Sequence, residues 1–156
     1  MMSLQFFQGN GFWKSPSGYK PGGTLTIEKL NQVERLLNVT LPESYVRYML
    51  EQNGGELAYR YVLFDDGDAA IVPFLYEVDM ESGVGLSPIF IEECGLPEGL
   101  VLVTGDLESW IALDYRNTTD SPQVVYFIAT EHGVWEEHVL APNFEAFTNK
   151  LFQKVV

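Results

Sequence analysis

Leu41-Pro42-Glu43-Ser44-Tyr45-Val46-Arg47-Tyr48-Met49-Leu50-Glu51-Gln52-Asn53-Gly54-Gly55 reads as a short helix with both ends written into it. Pro42 suits the first helical position, where its missing N–H would have no intrahelical partner. Glu43 places a negative charge at the positive end of the helix dipole. Tyr45, Met49 and Gln52 fall on one stripe that Val46 and Leu50 widen, so the helix has a face for a core. Asn53-Gly54-Gly55 then stops it, because glycine accepts the left-handed backbone that closes a helix.

A second helix is predicted just upstream. Ile27, Leu30, Val33 and Leu37 recur at helical spacing, Leu36 broadens the face, Thr24 or Thr26 can cap the start, and Asn38 is a stop. Only Val39-Thr40 joins the two helices, so they form an antiparallel or angled pair. Residues 1–24 mix Phe6, Phe7, Phe12, Trp13 and Tyr19 with five glycines. That composition opposes a helix, and its rings need burial. It reads as an irregular arm or short strand on the body, or else as an exposed segment for a partner.

Downstream of Gly55 the period changes to that of strands. Residues 58–64 and 70–76 flank Asp65-Asp66-Gly67-Asp68, a hairpin signal, with Pro73 marking an edge or bulge. Residues 77–87 read as a loop. Residues 87–95 read as one or two helical turns, capped by Ser87, started by Pro88 and ended by Gly95. Residues 100–104 and 110–115 form a second hairpin around Gly105-Asp106-Leu107-Glu108-Ser109, and residues 124–129 and 134–140 are further strands. A last helix presents Phe144, Phe147, Leu151 and Phe152 inward. The order predicts one α+β domain over residues 1–156. It has a mostly antiparallel sheet of about five to six strands, with two N-terminal helices and one C-terminal helix packed on one face.

The 156 residues, 46 % of them apolar, suit a folded domain with a real core. No apolar run is long enough to span a membrane. Residues 1–7 lack a basic region and are not read as a secretory signal, which makes the cytoplasm the simplest compartment. The net charge of −13 is concentrated locally. Residues 61–140 hold sixteen acidic residues and one basic residue, Arg116, whereas both flanking stretches are close to neutral. Such a midsection repels nucleic acid and anionic lipid and attracts cationic surfaces. It serves either as a solubility surface or as a docking surface.

Catalytic and metal chemistry find little support. Cys94 is the lone cysteine, and the neighbouring Glu92 and Glu93 blunt a thiolate. His132 and His138 lack the spacing of a metal pair, and Asp65-Asp66-Gly67-Asp68 is not followed by the bidentate glutamate of a calcium loop. There is no nucleophile elbow and no phosphate loop. A carboxylate pair acting in a hydrolase stays open, as does stacking of Trp13, Trp110 or Trp135 on a sugar or partner, against the simpler reading of core packing. No catalytic residue, metal ligand or cofactor is assigned.

Leu41-Pro42-x-x-Tyr45 with Asn53-Gly54-Gly55 resembles the second-helix signature of the SUKH superfamily, the Smi/Knr-type domain. The likeness extends to Phe12-Trp13 with Tyr19 and Pro21, to residues 25–39 as the first helix, and to Leu113-Asp114-Tyr115-Arg116 in the central strands. It ends on Phe144, Phe147 and Leu151. One departure is the turn Asp106-Leu107-Glu108-Ser109, where many relatives have glycine. The resemblance implies a binding protein without catalytic activity. In the bacterial branch it is an immunity protein that neutralises a polymorphic toxin, often a nuclease, by direct contact. Because a nuclease domain is basic, an acidic face complements it. The expected contact residues are Asp65, Asp66, Asp68, Asp106 and Glu108, all on predicted hairpin tips. Pro42, Tyr45, Asn53, Gly54, Gly55 and Asp114 are expected to build the fold. The second reading is a regulatory scaffold like the fungal relatives linked to cell-wall signalling, and the third is the carboxylate-dependent hydrolase.

Overall fold

The computed structural model describes residues 3–155, so the first two residues of the N-terminal arm, including the start of the stretch read as lacking a signal, lie outside it. The elements in chain order are β1 (Ser3–Phe6), α1 (Ile27–Leu37), α2 (Glu43–Glu51), β2 (Gly55–Glu56), β3 (Tyr61–Leu63), β4 (Ala69–Ile71) and β5 (Phe74–Leu75). A 3-10 turn (Val84–Leu86), α3 (Ser87–Cys94), β6 (Leu100–Gly105), β7 (Ser109–Asp114), β8 (Gln123–Ala129), β9 (Trp135–Ala141), α4 (Phe144–Asn149) and β10 (Leu151–Val155) follow.

The fold is α+β and antiparallel throughout its ladders, as expected, but the strands divide among three sheets. One runs β1-β10-β3-β4, one is the ribbon β2-β5, and one runs β6-β7-β8-β9. Pro73 explains part of the division. It interrupts the strand expected over residues 70–76, so that β4 pairs back onto β3 while β5 pairs with β2. The C-terminal helix is shorter than expected. It ends at Asn149, and Leu151 and Phe152 lie in β10, paired with β3 on one side and β1 on the other. The chain termini are thereby tied together, and the aromatic arm is held on the body with Phe7 and Phe12 buried.

Helices cover both faces of the β6–β9 sheet, not one. Ile111 and Leu113 of β7 point into the main core with Val33, Tyr45, Met49, Phe144 and Phe147. The alternate residues Trp110 and Ala112 point to the other side, where Ile91 of α3 and Leu96 pack with Val125 and Phe127. Burial on both faces is why β6 and β7 read as continuous apolar runs. Trp110 is buried in this second core, and Trp135 donates its indole N–H to the Cys94 carbonyl at 2.9 Å. Trp13 likewise donates to the Tyr48 carbonyl at 3.2 Å.

The helix ends differ in detail from expectation. Thr26 caps α1 by accepting from the Lys29 N–H, and Asn38 closes it in the left-handed conformation. Pro42 is the cap of α2 instead of its first residue: at φ −58° and ψ 138° it is extended, and its carbonyl takes the first helical bond from Val46. Tyr45 and Met49 are fully buried, whereas Leu50 faces out. Ser87 does not cap α3. Its hydroxyl donates to the Val84 carbonyl at 2.6 Å and accepts from the Leu102 N–H at 2.9 Å, joining the 3-10 turn to β6.

The Asn53-Gly54-Gly55 stop does more than end a helix. The buried Asn53 side chain accepts from the Val78 N–H at 2.8 Å and donates to the Val78 and Gly23 carbonyls at 3.1 and 2.8 Å. One side chain therefore acts as a backbone segment, satisfying loop groups that no strand reaches. Gly54, at φ +94°, lies against the chain after β5. A Cβ there would sit 2.9 Å from the Glu77 nitrogen and 3.0 Å from the Leu75 oxygen. Both the conformation and the approach require glycine.

Gly54→Val is expected to destabilise the protein by more than about 1 kcal/mol, read as a lower urea midpoint at unchanged slope. Asn53→Ala strands the Val78 peptide groups and is expected to cost at least about 2 kcal/mol. A neutral effect of either would contradict the role drawn from this geometry.

Candidate partner-binding groove

Two acidic turns converge at one end of the molecule. In the β3–β4 turn the Phe64 N–H donates to the Asp68 carbonyl at 2.7 Å, and Asp66 accepts from the Asp68 N–H at 2.9 Å. In the β6–β7 turn a single Asp106 oxygen accepts from the N–H of Glu108 and Ser109 and from the Ser109 hydroxyl, at 3.0, 2.9 and 3.2 Å. Leu107 there has φ 78°, a backbone that glycine adopts without strain. Asp106 makes the bonds that hold the turn without one.

Between these turns lies a groove of about 550 Å³. Its rim carries Asp66, Asp68, Asp106 and Glu136, and its apolar lining includes Ile71, Tyr126 and Ile128. Tyr126 and Ile128 form the floor, and across β8 and β9 Tyr126 pairs with His138 and Ile128 with Glu136. The Phe64 ring stacks on His138 with centroids 5.9 Å apart, and the His138 Nε2 lies 3.1 Å from Glu136.

Three of the five expected contact residues, Asp66, Asp68 and Asp106, thus share one groove. The other two do not line it. Asp65 pairs with Lys150, whose ammonium lies 3.2 Å from its carboxylate. Glu108 stays on its turn, where its carbonyl accepts from the Ala129 N–H at 2.8 Å. Sequence reasoning missed Ile71, Tyr126, Ile128, Glu136 and His138. The alternation of β8 and β9 marks Tyr126 with Ile128 and Glu136 with His138 as same-face pairs. It does not say that β4 stops short of covering them. Among the described residues no group of three or more His, Cys, Asp or Glu side chains is placed to hold a metal ion. Burial, with Glu93 beside it, raises the Cys94 pKa.

A second charged cluster lies on the opposite face of the β6–β9 sheet. Arg116 clasps Asp114 through two bonds, of 2.8 and 3.0 Å, also reaches Glu137, and lies over the Phe127 ring. Gln123 donates to Asp114 at 3.0 Å. Burial alone would raise the Asp114 pKa, but the bonds from Arg116 and Gln123 outweigh it and lower the value to about 2. The only cation of residues 61–140 is consumed in this clasp, which leaves the groove's carboxylates without an arginine. Next to it, Tyr115 donates from its hydroxyl to the Thr40 carbonyl at 2.7 Å, fastening the sheet to the α1–α2 junction.

The fold so described is a single antiparallel α+β domain whose signature residues are buried and whose groove is rimmed by carboxylates. The family model described as SMI1-KNR4 cell-wall, of the SUKH group, matches residues 27–147, and the chain belongs to that family. The matched range runs from the start of α1 into α4. No curated protein matches the chain at a significant level. No helix among the described residues is long and apolar enough to cross a membrane.

A carboxyl whose pKa falls on folding stabilises the native state above its unfolded value near 4, and that contribution is lost as pH falls through the folded value. The gap in urea midpoint between this protein and Asp114→Asn is therefore expected to be widest above about pH 4 and to shrink toward pH 2. A constant gap across that window would mean that Asp114 does not titrate as the clasp requires.

Proposed function

We propose that this protein is an immunity protein of the SUKH family. It acts in the cytoplasm and neutralises a bacterial polymorphic toxin by seating a basic domain of that toxin, a nuclease, in the acid-rimmed groove. One observation carries the reading: two hairpin turns distant in sequence bring Asp66, Asp68 and Asp106 together beside Glu136 over an apolar floor. A docking surface needs that pairing, with an apolar centre for affinity and a charged rim for steering and register. Family membership supports a binding role, since the family is in general non-catalytic. The charge supports a cationic protein partner and opposes nucleic acid or an anionic membrane.

The matched family's description names cell-wall proteins, which favours a regulatory scaffold as the second reading. The two differ in partner number. An immunity protein binds one toxin domain and abolishes its nuclease activity, whereas a scaffold retains several partners and inhibits none.

An immunity gene is expected to lie directly after the gene of its toxin, and the test pairs the protein with a toxin domain found there. Co-expression is expected to restore cell survival. Combined Asp66→Lys, Asp68→Lys and Asp106→Lys is expected to weaken binding at least about tenfold and to flatten its salt dependence. Asp65→Lys with Glu92→Lys, which also reverses charges but lies off the groove, is expected to have a much smaller effect. Equal effects from the two sets would reduce the interaction to bulk charge and remove the groove from it.

A further inference from the structure

The wall of the groove is a sheet edge. β4 is the last strand of its sheet, with β3 on one side and, among the described residues, no strand on the other. Its register decides which backbone groups face outward. The Phe64 N–H donates to the Asp68 carbonyl and the Val72 N–H to the Arg60 carbonyl, so the hydrogen-bonded pairs on β3 fall at positions 68, 70 and 72. Antiparallel ladders alternate such pairs with non-bonded ones. The N–H and C=O of Ala69 and Ile71 therefore point away from β3. Both residues line the groove and are exposed, Ile71 to 56 %.

Free edges are ordinarily blunted by charge, proline or a bulge. One edge strand of the β6–β9 sheet is blunted in this way: β9 presents Glu136, Glu137 and His138 to solvent. β4 is Ala69-Ala70-Ile71, with no charge and no proline. Its charges sit just beyond its start, at Asp66 and Asp68, and across the groove at Asp106 and Glu136.

We infer that the groove takes its partner as an added β-strand. An extended protein segment of alternating basic and apolar residues bonds to the outward groups of Ala69 and Ile71. It extends the β1-β10-β3-β4 sheet across Tyr126 and Ile128. Alternate side chains of a strand point to opposite faces. The apolar set meets the floor, and the basic set faces outward beside the acidic turns that carry Asp66, Asp68 and Asp106. Charge decides the occupant. A second copy of this chain would bring a net −13 and the same acidic rim to the edge, whereas a cationic segment neutralises it. The inference rests on the groove being the partner site, and it adds main-chain pairing as the mode of recognition.

The probe is a blocked synthetic octapeptide of alternating lysine and valine, titrated by fluorescence anisotropy, with amide hydrogen exchange followed by NMR. Binding is expected to slow exchange at the Ala69 and Ile71 N–H. It is expected to weaken at least about tenfold when alternate peptide nitrogens of the probe are methylated, as the loss of about two hydrogen bonds implies. Ile71→Pro, which removes an outward N–H and no β3–β4 bond, is expected to weaken binding likewise at an unchanged melting temperature. The methylated probe keeps the test intact if that variant fails to fold. Methylation without effect, absent protection at Ala69 and Ile71, or no binding of the octapeptide would each overturn strand addition. If the triple lysine variant still loses its toxin partner in that case, the groove stands as the docking site without main-chain pairing.

Discussion

The Asn53 carboxamide closes a circuit between helix and sheet. This one side chain holds the end of α2, the segment before α1 and the chain after β5 in one place, through bonds to the Gly23 carbonyl and to the N–H and C=O of Val78. A buried peptide group without a partner is costly, and this side chain supplies partners to the N–H and C=O of Val78. The next residue, Gly54, permits the close approach that this bonding requires. With α2 anchored against β5, Tyr45 and Met49 are delivered to the core. The β2-β5 ribbon forms next to them, and the β5 segment is led on to β6, where the Tyr76 N–H donates to the Val103 carbonyl at 2.9 Å.

That anchoring has consequences for the surface. The chain leaves β4 at Pro73 to reach β5, so β4 is cut short and its outer edge stays open. The same geometry sets this edge beside the outer part of the β6–β9 sheet, where no further strand among the described residues covers Tyr126 and Ile128. The groove is thus what remains when one sheet ends before its neighbour does. Its acidity follows from the arginine count as much as from the carboxylates. Arg116 is held on the far face by Asp114 and Glu137, and Lys150 sits beside Asp65, which does not line the groove.

The family signature and the candidate site therefore have different physical roles. Asn53, Gly54, Tyr45 and Asp114 are buried and committed to internal bonds or packing. The groove residues are exposed and come from segments with no shared motif. Leu107 stands in the left-handed backbone region that favours glycine, in the turn between β6 and β7. That turn supplies Asp106 to the rim.

Periodicity, turn chemistry and charge were legible in the chain before any coordinates. Helical spacing placed α1 and α2, Asp-Gly and Gly-Asp turns placed the two hairpins, and the acidic midsection was visible by counting. Those signals are local, because caps, turns and alternation depend on residues a few positions apart. Which face of a strand meets a helix, where Pro73 sends the chain, and whether Leu151 continues a helix or joins a sheet depend on partners outside the local stretch, such as β2 for β5 and β3 for Leu151. No local pattern encodes them. Sequence by itself determined the α+β class, the helix stop and the sign of the surface. Only the tertiary structure decided that Asp66, Asp68 and Asp106 meet Glu136 over Tyr126 and Ile128 while Asp65 and Glu108 do not, because convergence in space is a property of strand order and register.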